Sequence, residues 1–160
     1  MNRFSPNFRF WLPALGWLGV IAIESFCLSS NVTGGWIQKV LAILHIRLSQ
    51  EAFETFHHIL HKGGHVAGYG ILCLFLFRAW YHTLLNSRGS RLRLRCAIPA
   101  LGITLATAIL DEWHQSFDPT RTSSIRDVGL DFTGGIIFLL AALFIFRLWR
   151  GTTSGELVSA

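Results

Sequence analysis

The chain has 160 residues, enough for one domain, with hydrophobic residues at 51% and charged residues at only 14%. Soluble domains carry roughly 25% charged residues, and the mean hydropathy of +0.45 runs the same way, so the composition excludes an ordinary soluble protein and points to a membrane. The net charge of +5 and pI near 9.7 would suit nucleic acid, but the basic residues stand at the ends of apolar runs, as membrane topology requires, and no nucleic-acid partner is expected.

The first apolar run, about Phe10 to Ser29, follows Arg3 and Arg9 and mimics a signal peptide. It is as long as a full span and no A-x-A site follows, so it reads as an uncleaved first helix, with Pro13 in its first turn. Glu24 lies inside it and should face other helices or water. Asn31 to Gly35 reads as a turn. Trp36 to Leu48 reads as an amphipathic interfacial helix with Ile37, Leu41, Leu44 and Leu48 on one stripe. Ser49 can cap a second short helix, Gln50 to Leu60.

His61 and Lys62 lead into a second span, about Gly63 to Trp80. Its small residues Gly63, Gly64, Ala67, Gly68 and Gly70 would let helices approach closely. Lys62, His65 and Tyr69 share one helix face. A basic loop, His82 to Arg95, precedes a third span, about Cys96 to Glu112, with Pro99 in its first turn. A fourth span, about Asp127 to Trp149, carries Gly134 and Gly135, and residues 150–160 read as a flexible tail. Cys27, Cys73 and Cys96 lie in or beside apolar runs in odd number, so no disulfide framework is expected.

The expected fold is therefore an all-α membrane protein. It has four transmembrane helices, an amphipathic segment between the first and second, and a single domain over 1–160 with its core at about 10–149. Arg3, Arg9, Arg78, Arg88, Arg91, Arg93, Arg95, Arg147 and Arg150 are nine of the fourteen Lys and Arg residues and fall on one side of this arrangement. Eight of the nine acids, all but Glu156, fall on the other. The positive-inside rule puts both termini in the cytoplasm and loops 30–62 and 112–126 outside.

Between the last two apolar runs lies the densest polar stretch of the chain, Asp111 to Asp127. With the outer ends of the spans it assembles a constellation: Lys62, His65 and Tyr69; Asp111, Glu112 and Gln115; Arg121; Asp127 and Asp131. Asp111 and Gln115 are i, i+4, as are Asp127 and Asp131, so each pair shares a face. Glu24 could join from the first span. Lys62 and Arg121 are suited to an anion, with Glu112, Asp111 and Asp127 positioning them.

The ordered motifs Lys62-x-x-His65-x-x-x-Tyr69, Asp111-Glu112-x-His114-Gln115-x-Phe117-x-Pro119-x-Arg121 and Asp127-x-x-x-Asp131-x-x-Gly134, with Ser29-Ser30 before them, resemble the VanZ-like family over about residues 20 to 140. Two positions depart from its pattern: His61 stands where an acid is usual, and Asp131 where Asn is frequent. The resemblance implies a polytopic protein of the bacterial cytoplasmic membrane and a link to glycopeptide (teicoplanin) susceptibility. The expected function is binding of an anionic envelope lipid or peptidoglycan precursor at the extracytoplasmic polar site. One alternative is a membrane-embedded hydrolase or transferase using Glu112 as general acid/base with His65 or His114. The other is a structural scaffold held by a buried ion-pair network. His65, Glu112, Asp127 or Asp131 could ligate a metal, but there is no His-Glu-x-x-His, phosphate loop or Gly-x-Ser-x-Gly, and neither metal nor cofactor is expected.

Overall fold

The structure is a computed structural model that describes residues 8–27, 30–84, 92–117 and 123–156. A 3-10 turn, Phe8–Phe10, leads into α1 (Leu12–Cys27), followed by α2 (Ser30–Ile43), α3 (Gln50–Leu84), α4 (Leu92–Gln115) and α5 (Ile125–Glu156). No strand occurs among the described residues. Among the described residues, three helices are long and apolar enough to cross a membrane: Gln50–Leu84, Leu92–Gln115 and Ile125–Arg147. At 16 residues, α1 covers only about 24 Å, short of a hydrocarbon core of about 30 Å.

Several boundaries differ from those expected of the sequence. The segment 31–35 is not a turn but part of α2, and Gly34 faces the ring of His57, where a Cβ would sit 3.6 Å from Cε1. The helix then stops at Ile43 rather than Leu48. His45 adopts a left-handed φ of 56°, its amide donates to the Ala42 carbonyl (3.1 Å), and the Ile46 amide donates to the Leu41 carbonyl (2.9 Å). This pair of bonds satisfies the last carbonyls and turns the chain out of the helix. Ser49 caps α3 as expected, its Oγ accepting from the Ala52 amide at 3.3 Å.

The two helices expected over Gln50–Trp80 are one helix of 35 residues, about 52 Å long. No proline interrupts it. In α4 the helix starts at Leu92, so Pro99 sits two turns in and leaves the Arg95 carbonyl without its i+4 amide. Helix α5 runs on to Glu156, past the expected end at Trp149. Cys73 and Cys96 are free and buried.

Helix directions follow from the contacts. Lys62 meets Asp127, Val66 meets Gly134 and Gly70 meets Phe138, so α3 and α5 run parallel. Tyr69 meets Asp111 and Cys73 faces the Thr104 region, so α4 runs against α3. Trp11 Nε1 donates to Thr83 Oγ1 (3.1 Å) and Trp17 Nε1 to the Gly68 carbonyl (2.8 Å), so α1 also runs against α3. The core at their centre holds Tyr69, Leu72, Cys73, Leu76, Ala100, Ala108 and Leu139, while Ile137, Leu140, Phe144 and Ile145 point outward.

Close helix approach uses fewer glycines than their density suggests. Gly63 and Gly64 face open space. Gly134 does not: a Cβ there would lie 2.4 Å from the Val66 carbonyl oxygen, a backbone atom. Gly134→Ala must therefore push α5 off α3. It should destabilise the protein by about 1–3 kcal/mol despite the better helix propensity of alanine. Gly129→Ala meets nothing within 4 Å and should be neutral or stabilising, by up to about 1 kcal/mol. Melting of both variants in one detergent tests the contrast.

Candidate functional site

One face of α3 carries Lys62, His65 and Tyr69, and each reaches a carboxylate on another helix. Lys62 Nζ donates to Asp127 Oδ1 at 2.7 Å, with both side chains partly exposed. Three residues on, His65 Nδ1 lies 3.3 Å from Asp131 Oδ2, and Asp131 is fully buried. A turn deeper, the Tyr69 hydroxyl donates to Asp111 Oδ2 at 2.8 Å, both groups buried. These three pairs run as a ladder down α3, the first two reaching α5 and the third α4.

Glu112 does something else. Its Oε2 accepts the Ser124 amide at 3.0 Å, while Ser124 Oγ accepts the Arg126 amide at 3.2 Å. Ser124 is thus the cap of α5, and Glu112 places a carboxylate at that helix N-terminus, where the backbone dipole favours negative charge. Gln115 is buried, one turn beyond Asp111. Arg121 lies outside the described residues. His114 leans toward α1: Nδ1 is 3.4 Å from Ser25 Oγ, and its ring lies 3.9 Å from that of Phe26.

The ladder opens into a small pocket of about 20 Å³. Ile21, Glu24 and Ser25 from α1, Thr33 from α2, His61, Gly64, His65, Gly68 and Tyr69 from α3, and Asp111 and Gln115 from α4 line it. Glu24 therefore joins the constellation from α1. The site also contains His61, Ser25 and Thr33. The signal for His61 was its i, i+4 spacing from His65, whose ring centroid is 4.8 Å away; Ser25 and Thr33 had none. Glu112 lines a different, more apolar groove with Leu105, Ile109, Trp113 and Ser124. Glu112 and His65 thus face different spaces, which leaves an acid/base pair between them without geometry. Of the residues considered as metal ligands, His65 and Asp131 come together with Asp111, while Glu112 and Asp127 are engaged elsewhere.

Three buried polar atoms in and beside this pocket have no hydrogen-bond partner among the described residues: Asp111 Oδ1, Asp131 Oδ1 and Gln115 Nε2. Buried polar groups are nearly always satisfied, and each one left bare costs about 1–3 kcal/mol.

An all-helical bundle with membrane-length apolar helices and a buried polar site at one end defines a membrane protein with a candidate binding centre. The family model for VanZ/LLP1 matches residues 10–147, and the chain belongs to that family. No curated protein and no solved structure matches it significantly.

Loss of the Tyr69 hydroxyl strips Asp111 of its donor in a buried setting. Tyr69→Phe should destabilise the protein by about 1–3 kcal/mol, whereas Lys62→Met, at a pair open to solvent, should cost no more than about 1 kcal/mol. Parallel melting curves check the order; equal losses would refute the assigned burial of the two pairs.

Proposed function

We propose that this VanZ/LLP1 family protein is a single integral domain of the bacterial cytoplasmic membrane, crossing it four times. On the extracytoplasmic side it holds an anionic envelope component, a phosphate- or carboxylate-bearing lipid or peptidoglycan precursor. The observation that carries this reading is the buried, incompletely satisfied polar pocket at one end of the bundle. A membrane helix keeps ionisable groups at this density at a cost, which makes them candidates for function.

Helix direction supports the four crossings: α1 lies beside α3 and opposite to it, α4 repeats the direction of α1, and α5 that of α3. Trp36, Val40 and Ile43 of α2 are all exposed, as suits a helix lying at a lipid interface. The distribution of arginines supports both termini lying in the cytoplasm. In a chain with its three native cysteines changed to Ala, His45→Cys should react with an impermeant maleimide on intact spheroplasts and Ser90→Cys only after lysis. The reverse pattern would invert the topology.

Lys62 already spends its charge on Asp127, so an anion would compete with that carboxylate. Arg126 is exposed at the same end, and Arg121 precedes it by five residues. Sequestering a precursor at this site is a direct route to altered teicoplanin susceptibility. The test is native mass spectrometry of the detergent-purified protein with a polyprenyl phosphate and with the matching polyprenol. The phosphate should be retained and the alcohol lost, and Arg121→Ala or Arg126→Gln should weaken retention about tenfold, as for a lost hydrogen bond to a charged group. Equal retention of the two lipids sinks the reading. The competing reading, a scaffold, draws on the ladder of three interhelical pairs; it predicts that no lipid distinguishes parent from variants.

A further inference from the structure

Two aspartates and a histidine, one residue from each of α3, α4 and α5, meet beside Tyr69. One ligand atom each of His65, Asp111 and Asp131 lie within 4.8 Å of one another. Asp131 is fully buried and Asp111 is 8% exposed. His65 Nδ1 and Asp131 Oδ2, at 3.3 Å, already stand at the separation of two ligands on a tetrahedral ion with bonds of about 2.0–2.1 Å. The widest separation, up to 4.8 Å, must close by as much as about 1.4 Å, within the reach of side-chain rotation.

The charge balance asks for a cation. Two buried carboxylates face the imidazole of His65, with Glu24 and a second histidine, His61, lining the same pocket and Lys62 bound to Asp127. Each aspartate keeps one buried oxygen without a partner. The side-chain amide of Gln115, buried and unpartnered, lines the pocket beside Asp111 and is placed to meet a further group held there. Uncompensated buried charge is costly, and a divalent ion removes two charges at once.

We propose that His65, Asp111 and Asp131 bind one divalent transition-type cation, Zn²⁺ or Mn²⁺, with an open coordination position facing the pocket. One nitrogen and two oxygen donors suit these ions. Calcium needs six to eight oxygens, more than the trio supplies. The open position is lined by Gln115, His61 and Glu24. Here the site touches the reading above: a metal in that position attracts a phosphate or carboxylate oxygen, which explains how a pocket rich in acids accepts an anion. The cation site itself stands on the trio and holds whether or not the anion is a lipid.

The experiment uses the full chain in detergent, stripped with EDTA and moved into metal-free buffer without added lipid. Zn²⁺ and Mn²⁺ are titrated by calorimetry, and retained metal is measured by mass spectrometry after desalting. The expected result is one ion per chain at micromolar affinity or tighter, with binding weakened at least about tenfold in Asp131→Asn and in His65→Gln. The exposed control Glu54→Gln should bind as the parent does. Should either variant fail to fold, the parent decides: Zn²⁺ must raise the melting temperature of the stripped protein, and Co²⁺ must give the visible absorption of an ion with nitrogen and oxygen ligands. Retention below about a tenth of an ion per chain by the parent, or affinity unchanged in both folded variants, overturns the proposal. Polyprenyl phosphate is then added with and without the ion. Metal binding without lipid binding refutes the lipid reading alone, and lipid binding without metal refutes the cation alone.

Discussion

The contact of Gly134 with the Val66 carbonyl sets the geometry on which the site depends. Two helices can come this near only where one offers no side chain, and at this point α5 offers none. Because α3 and α5 run parallel, one close contact fixes their register along the whole seam. The same register puts Asp127 opposite Lys62 and Asp131 opposite His65, one turn apart on each helix. On the inner side it brings Gly70 against the ring of Phe138, where a Cβ would lie 2.5 Å away, and Gly135 against Thr104 of α4. Packing that looks purely apolar therefore decides which charges meet.

The second determinant is the medium. Carboxylates beside lipid must find a donor, a cation or a proton, and the bundle uses different solutions at different depths. Nearest the end, Asp127 takes a half-exposed lysine. Glu112 takes a backbone amide and seals a helix N-terminus. Deepest, Asp111 takes a phenol and Asp131 an imidazole, each with one oxygen left bare. The two aspartates beside Tyr69 are thus the least satisfied, which is the reverse of what a scaffold built for stability alone would show.

Much of this was legible beforehand, and the reasons differ from element to element. Spacing by three, four and seven residues placed Lys62, His65 and Tyr69 on one face, and Asp127 with Asp131 on another, because helix geometry alone decides that. It could not say that Asp111 rather than Glu112 would join His65. These neighbours differ by about 100° around α4, and the rotation of α4 is set by tertiary contacts such as Thr104 on Gly135. Gly34 and Gly35 read as a turn because glycine is a weak helix former, yet both lie inside α2, with Gly34 facing a histidine ring 23 positions along the chain. The unbroken α3 was hidden by the opposite error, a boundary placed where hydropathy changes although nothing in the backbone does. Pro99 likewise looked like a first-turn residue, yet the helix begins two turns earlier.

The wide separation of paired residues along the chain has a consequence for how the protein is made. His65 and Asp131 are 66 residues apart, and Lys62 and Asp127 are 65 apart. At roughly 5–20 residues per second, a ribosome needs several seconds between delivering the two halves of each pair. During that interval α3 carries an unmatched lysine and histidine, with α1 as its first long partner through Trp17 and Gly68. The polar centre is thus the last part of the protein to mature, completed only when the final helix slides into place. Truncation within α5 would strand a nascent chain whose most costly groups have no counterpart, the kind of species that membrane quality control removes.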